Sequence, residues 1–212
     1  MQIMITNHFT CAETAKLIRQ SLSEAFSGVK FSVRSRTYSG GASIYVSWTD
    51  GPNAAQVEAA TGGFKAGYFD GLIDYQGSIY HMMDGQQVCF GADHIATVRE
   101  HSDAAVQTAI DRIYRRYKGN FTESGLIAPT VDQFRSGELY RVQVAGLHWD
   151  GASNVQTMIH AALAKNSDRL KVTHSKTASR KFVTHDDGYS RACGEGFCAV
   201  KATGPVGIVD AN

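Results

Sequence analysis

Residues 30–52 read KFSVRSRTYSGGASIYVSWTDGP, and the alternation in this stretch decides the fold. Phe31 and Val33 alternate with Lys30, Ser32 and Arg34; after the glycines, Ala42, Ile44, Val46 and Trp48 alternate with Ser43, Tyr45 and Ser47. A period of two sends successive side chains to opposite faces, so each run is a strand with one apolar side. Ser39, Gly40 and Gly41 between them predict an antiparallel hairpin, because glycine reaches positive backbone angles without a side-chain clash. Asp50, Gly51 and Pro52 then turn the chain into a helix over residues 53–61, with the proline near the first turn, where a missing N–H costs little.

The segment before the hairpin has a different period. Thr10 and Glu13 stand at capping-box spacing, and Cys11, Ala15, Ile18, Leu22, Ala25 and Phe26 recur every three or four residues, which predicts an amphipathic helix stopped at Gly28. The order is therefore α-β-β-α. Beyond it, residues 75–83 and 86–90 predict a second hairpin around Asp84 and Gly85, and residues 95–99 a further strand. A third helix starts at Ser102, carries Val106, Ala109, Ile110, Ile113 and Tyr117 on one side, and ends in Arg112, Arg115, Arg116 and Lys118, whose charge suits a helix C-terminus.

Residues 119–129 are polar and glycine-containing and read as a connector, which divides the chain into an N-terminal α+β domain, 1–118, and a smaller C-terminal α+β portion, 119–212. The second portion reads as a short helix at 131–134, a strand at 139–144, a helix at 153–164, and strands at 170–173, 181–184 and 197–202. YVSWTDGPNAAQV at 45–57 and GLHWDGASNVQTM at 146–158 echo one another, but Asp-Gly pairs recur along the chain and the echo does not define a repeat.

The 21 basic and 20 acidic side chains nearly cancel, so any anionic partner must be met by a local patch. The opening residues lack the basic and apolar regions of a signal peptide, and no run approaches the ~18 apolar residues of a membrane span. A cytoplasmic protein with reduced thiols and no membrane partner is expected.

The hairpin supplies the first candidate patch. With its apolar residues turned inward, Lys30, Arg34 and Tyr45 fall on the other face, with Arg36 and Tyr38 near the tip. Guanidinium groups can hold phosphates while tyrosine rings stack on bases, and the same residues would also suit a solvated face that discourages edge aggregation. The second patch is residues 164–191, AKNSDRLKVTHSKTASRKFVTHDDGYSR, in which Lys171, Lys176, Arg180, Lys181 and Arg191 sit among serines, threonines and histidines of the kind that contact phosphate. A flexible, solvated loop has the same composition.

Other chemistry has thinner support. Cys193 and Cys198 with His174 or His185 have the outline of a metal site, but the spacing is wide and no second pair accompanies it, so no metal or cofactor is expected. Asp70, Asp74 and His81 are the one compact acid and imidazole set, and Asp-Gly is mainly a turn signal. No nucleophile elbow, phosphate-binding loop or zinc-protease motif occurs.

The strings TAKLIR, SVRSRTYSGGASIYVSWTDGP and FDGLID, in this order, resemble the large polyvalent protein-associated domains, in particular the family numbered 29, over about residues 10–120. Such domains occur in phages, plasmids and conjugative elements, often in large proteins proposed to enter a new host with the element's DNA and blunt its defences. The resemblance implies a non-catalytic accessory protein that counters a defence complex of the host bacterial cell, of anti-CRISPR or anti-restriction type, by binding a protein or ribonucleoprotein. Direct DNA or RNA binding through the basic hairpin face is the second expectation, and an uncharacterised hydrolase or nuclease the third.

Overall fold

The computed structural model describes residues 6–148, 153–167 and 172–186. It opens with β1 (Asn7–His8) and α1 (Cys11–Ala25). The capping box forms as the spacing predicts: the Glu13 N–H donates to the Thr10 hydroxyl at 3.2 Å, and the Thr10 N–H donates to the Glu13 carboxylate at 2.8 Å. α1 buries Cys11, Ala15, Ile18, Leu22 and Ala25. The hairpin follows as β2 (Phe31–Tyr38) and β3 (Gly41–Thr49), with Val33, Ile44, Val46 and Trp48 buried. Arg19 donates to the Val33 carbonyl at 2.8 Å and ties α1 to β2. The turn is tighter than the sequence suggested, because Gly40 alone has a positive φ, at 92°, while Gly41 already belongs to β3.

Next come α2 (Ala54–Thr61), a 3₁₀ turn (Gly62–Phe64), β4 (Gly67–Asp70), β5 (Tyr75–Met83), β6 (Gln86–Cys89) and β7 (His94–Glu100). Asp84 and Gly85 both take positive φ, 51° and 77°, which matches the right-handed twist of the strands they join. α3 (Asp103–Arg116) is capped by the Ser102 hydroxyl, and α4 (Lys118–Glu123) follows at once. The segment read as a connector is thus partly helical, and its Phe121 is fully buried. α5 (Val131–Ser136) leads through Gly137, at φ 78°, into a second 3₁₀ turn, Glu138–Arg141, where the sequence had suggested a strand. Leu139 in the turn and Val142, the extended residue that ends it, lie three residues apart, a spacing that imitates a broken strand pattern. α6 (Val155–Lys165), α7 (Lys176–Ser179) and β8 (Lys181–Asp186) complete the described chain.

Helices and antiparallel hairpins in one chain make the fold α+β. One sheet has the order β2-β3-β7. The other is centred on β5, which pairs antiparallel with β4, β6 and β8, while β1 joins β6 in parallel. Gly91 lets the chain pass close to α1: a Cβ there would collide with backbone atoms of Phe9, Thr10 and Cys11, and the Gly91 N–H reaches the Thr14 hydroxyl at 3.0 Å.

Within the described residues two compact units form, one from residues 6–47, 55–98 and 172–186, the other from 48–54, 99–148 and 153–167. Neither follows the connector. The tail returns to the first unit, where β8 pairs with β5, placing Met83 opposite Lys181, and the Thr173 N–H donates to the Ala25 carbonyl at 3.0 Å. Of the strand expected at 170–173, the described part forms a single bridge, Val172 to Phe26. The second unit packs Val106, Ile110, Phe121, Leu139, Val155 and Ile159 into its core. Its Arg99 donates to the carbonyls of Asp50, Gly51, Leu163 and Asn166, tying residues 48–54 and 153–167 to residues 99–148 of that unit. The strand expected at 197–202 lies outside the described residues.

Candidate binding face

The hairpin presents its basic side to solvent. Lys30, Arg34 and Arg36 are exposed beside the buried Val33, and Tyr38 and Tyr45 are 50% and 47% exposed. Counting outward from the Ser39–Gly40 turn sets Arg36 across from Ser43 and Arg34 across from Tyr45 on one face. Among the described residues, neither Arg34 nor Arg36 has a side-chain hydrogen bond or ion pair. Ser43, expected on the open face, is buried: the Tyr38 hydroxyl lies 3.0 Å from its Oγ, and Cys11 Sγ donates to its carbonyl at 3.6 Å. Tyr38 therefore leans along the sheet and leaves half its ring free.

The C-terminal cations have different fates. Lys176 is exposed at the start of α7. Arg180 is committed to an ion pair with Asp84, which raises the arginine pKa and lowers that of the aspartate. Lys181 lies with Nζ 4.2 Å from the Phe64 ring centroid, and burial brings its pKa down to about 8. Lys171 and Arg191 lie outside the described residues, as do Cys193, Cys198 and the side chain of His185; His174 is exposed.

Residues 9–102 match the family of the large polyvalent protein associated domain 29. This region is similar to that domain. It runs from the residue before the Thr10 cap to Ser102, the cap of α3, and so contains Lys30, Arg34, Arg36, Tyr38 and Tyr45 while excluding α7 and β8. No curated protein and no solved structure matches the chain.

The acid and imidazole set does not come together. Asp70 is buried opposite Tyr75 in the β4–β5 ladder, and its carboxylate accepts the Leu72 N–H at 2.9 Å, closing the turn. His81 stands six residues farther along β5, about 20 Å at ~3.4 Å per residue. Asp74 sits in the turn with φ 51°. Among the described residues no three His, Cys, Asp or Glu side chains converge as a metal site requires.

The residues that sequence reasoning missed are Glu24 and Asp84, which capture the C-terminal segment. Glu24 accepts from Ser175 Oγ at 2.8 Å and from the Thr177 N–H and hydroxyl at 2.9 Å each. A glutamate on the polar side of α1 gave no local sign of these distant partners.

Proposed function

We propose that the chain is a non-catalytic binding protein of phages or plasmids that occupies a surface of a host defence complex through the exposed side of its β2–β3 hairpin. The family supplies the biological setting, and the free arginines supply the contact. One observation carries this: Arg34 and Arg36 stand exposed and, among the described residues, unpartnered between two half-exposed tyrosines on a sheet whose other side is core. Folding does not need them there. Tyrosine and arginine are the side chains that interfaces favour, since they cover much area for little conformational entropy and bind acidic or phosphate groups in a forked geometry.

Tagged protein should recover a stoichiometric protein complex from lysates of defence-bearing bacteria, surviving nuclease treatment and lost when Arg34→Ala and Arg36→Ala are combined. Recovery of no host protein from any such strain, or undiminished recovery by the double variant, overturns the reading. Direct nucleic-acid binding is the second reading, favoured by the two tyrosine rings beside the guanidiniums. It requires retention on single-stranded DNA or RNA that weakens steeply with salt, with the salt slope reduced by about one for each arginine removed.

A further inference from the structure

Lys181 begins β8, and its surroundings are not those of a surface cation. The ring beneath its amine, Phe64, is fully buried, and the amine presses so closely on Gly63 that a Cβ there would overlap it. The β5–β8 ladder delivers it: Lys181 faces Met83, so its side chain shares a sheet face with His81 two residues along β5. Among the described residues the amine has no hydrogen-bond acceptor and no ion-pair partner. Its backbone position is anchored on one side by Arg180, held by Asp84, and on the other by Thr184, whose hydroxyl donates to the Tyr80 carbonyl at 3.0 Å. The side chain is nevertheless partly open to solvent, so a small molecule can reach it.

A lysine placed in this way is unlike one in a salt bridge. An aromatic face attracts an ammonium less strongly than the water it displaces, and no carboxylate among the described residues holds the proton on. His81 adds no proton reservoir. Burial first, and then the Lys181 charge, hold the pKa of its ring at about 4, so the imidazole is neutral at pH 7, and among the described residues its buried Nδ1 has no partner. With its pKa brought down to about 8, roughly a tenth of the Lys181 amine is free of its proton at pH 7, far more than for an ordinary lysine, and this free amine is the form that attacks carbonyl carbon.

We propose that Lys181 is a nucleophilic amine that condenses with a small aldehyde, forming an imine whose nitrogen sits over the buried Phe64 ring. The nitrogen lone pair attacks the carbonyl carbon, the C–N bond forms as the C=O π bond breaks, and a proton passes from nitrogen to the new alkoxide through water. The nitrogen lone pair then expels the hydroxyl, which leaves as water on taking up a proton, and loss of the remaining N–H proton gives the neutral imine. No oxidant or reductant is consumed. The site is separate from Arg34 and Arg36, which lie on the other sheet.

Benzaldehyde with cyanoborohydride, which traps imines, tests this on the intact protein at pH 7, the modified lysines being located by peptide mass spectrometry. Lys181 should be labelled about tenfold faster than the exposed Lys176, five residues upstream. Trace acetic anhydride applied over a pH series should show the Lys181 labelling rate rising with a midpoint near 8. Labelling of Lys181 no faster than Lys176, or a midpoint near the ordinary lysine value of ~10.5, overturns the proposal. Both measurements use the native chain, so neither depends on a variant that folds.

Discussion

The Glu24 carboxylate accepts both the N–H and the hydroxyl of Thr177, each at 2.9 Å, across 153 residues of sequence. Ser175, the cap of α7, donates to the same carboxylate at 2.8 Å, and the Thr173 hydroxyl donates to the Glu24 carbonyl. One acidic residue on α1 thus gathers the segment that leads into β8.

That clamp should be sensitive to acid. The Thr177 N–H first, then the Ser175 and Thr177 hydroxyls, lower the Glu24 pKa from 4.5 to about 2. The folded state therefore resists protonation more than the unfolded state does, so the contribution is complete above about pH 4.5 and is lost as pH falls toward 2. Glu24→Gln should speed amide exchange over residues 173–179 at pH 7, and the difference from the parent protein should shrink at pH 2.5. Equal exchange at pH 7 would show that the clamp does not hold the segment.

His81 should make the first unit lose stability at milder acidity. Its pKa is about 4 in the folded protein and 6.5 when unfolded, so the unfolded chain binds the extra proton between these values and stability declines as pH falls through that window, by about 3 kcal/mol at most. His101 and His148, also lowered by burial, act in the same direction. His81→Leu should flatten the dependence of the urea midpoint between pH 7.5 and 5. A slope unchanged by the substitution would assign it to the other two histidines.

Arg99 should be the side chain whose loss costs the second unit most. Its guanidinium meets four carbonyls at 2.7–3.0 Å, a fan of acceptors that a lysine ammonium cannot match. Arg99→Ala should destabilise by roughly 2 kcal/mol or more, with Arg99→Lys recovering only part. Amide protection in α3 and α6 reports on this directly, and intact protection in the alanine variant would refute it.

Arg34→Ala and Arg36→Ala should leave the fold as it is, with unfolding free energy within about 0.5 kcal/mol of the parent, because neither side chain touches a partner among the described residues. Urea denaturation checks this, and it is the control that gives meaning to any lost binding. A larger fall would mean that the arginines serve the fold.

Much of the local architecture was readable from neighbouring residues. Thr10 with Glu13 announced α1, Asp84 with Gly85 announced the β5–β6 turn, and the alternation around Gly40 announced β2 and β3, since each signal acts within a few residues. The strand read at 139–144 was wrong for a local reason too: an apolar spacing of three suits a 3₁₀ turn as well as an irregular strand. β4 was missed because GYFD is short and flanked by glycines, and α4 because its apolar stripe is little more than Phe121.

The sequence alone was sufficient for the hairpin and for which of its faces is basic, because strand alternation dictates both. It could not say which cations remain available. Arg180 is taken by Asp84 and Lys181 lies over Phe64, whereas Arg34 and Arg36 stay free among the described residues. The fates of Arg180 and Lys181 depend on β8 lying beside β5, a pairing about a hundred residues apart in the chain. Long-range pairings follow from burying a whole sheet face at once and leave no periodic mark on the residues they join.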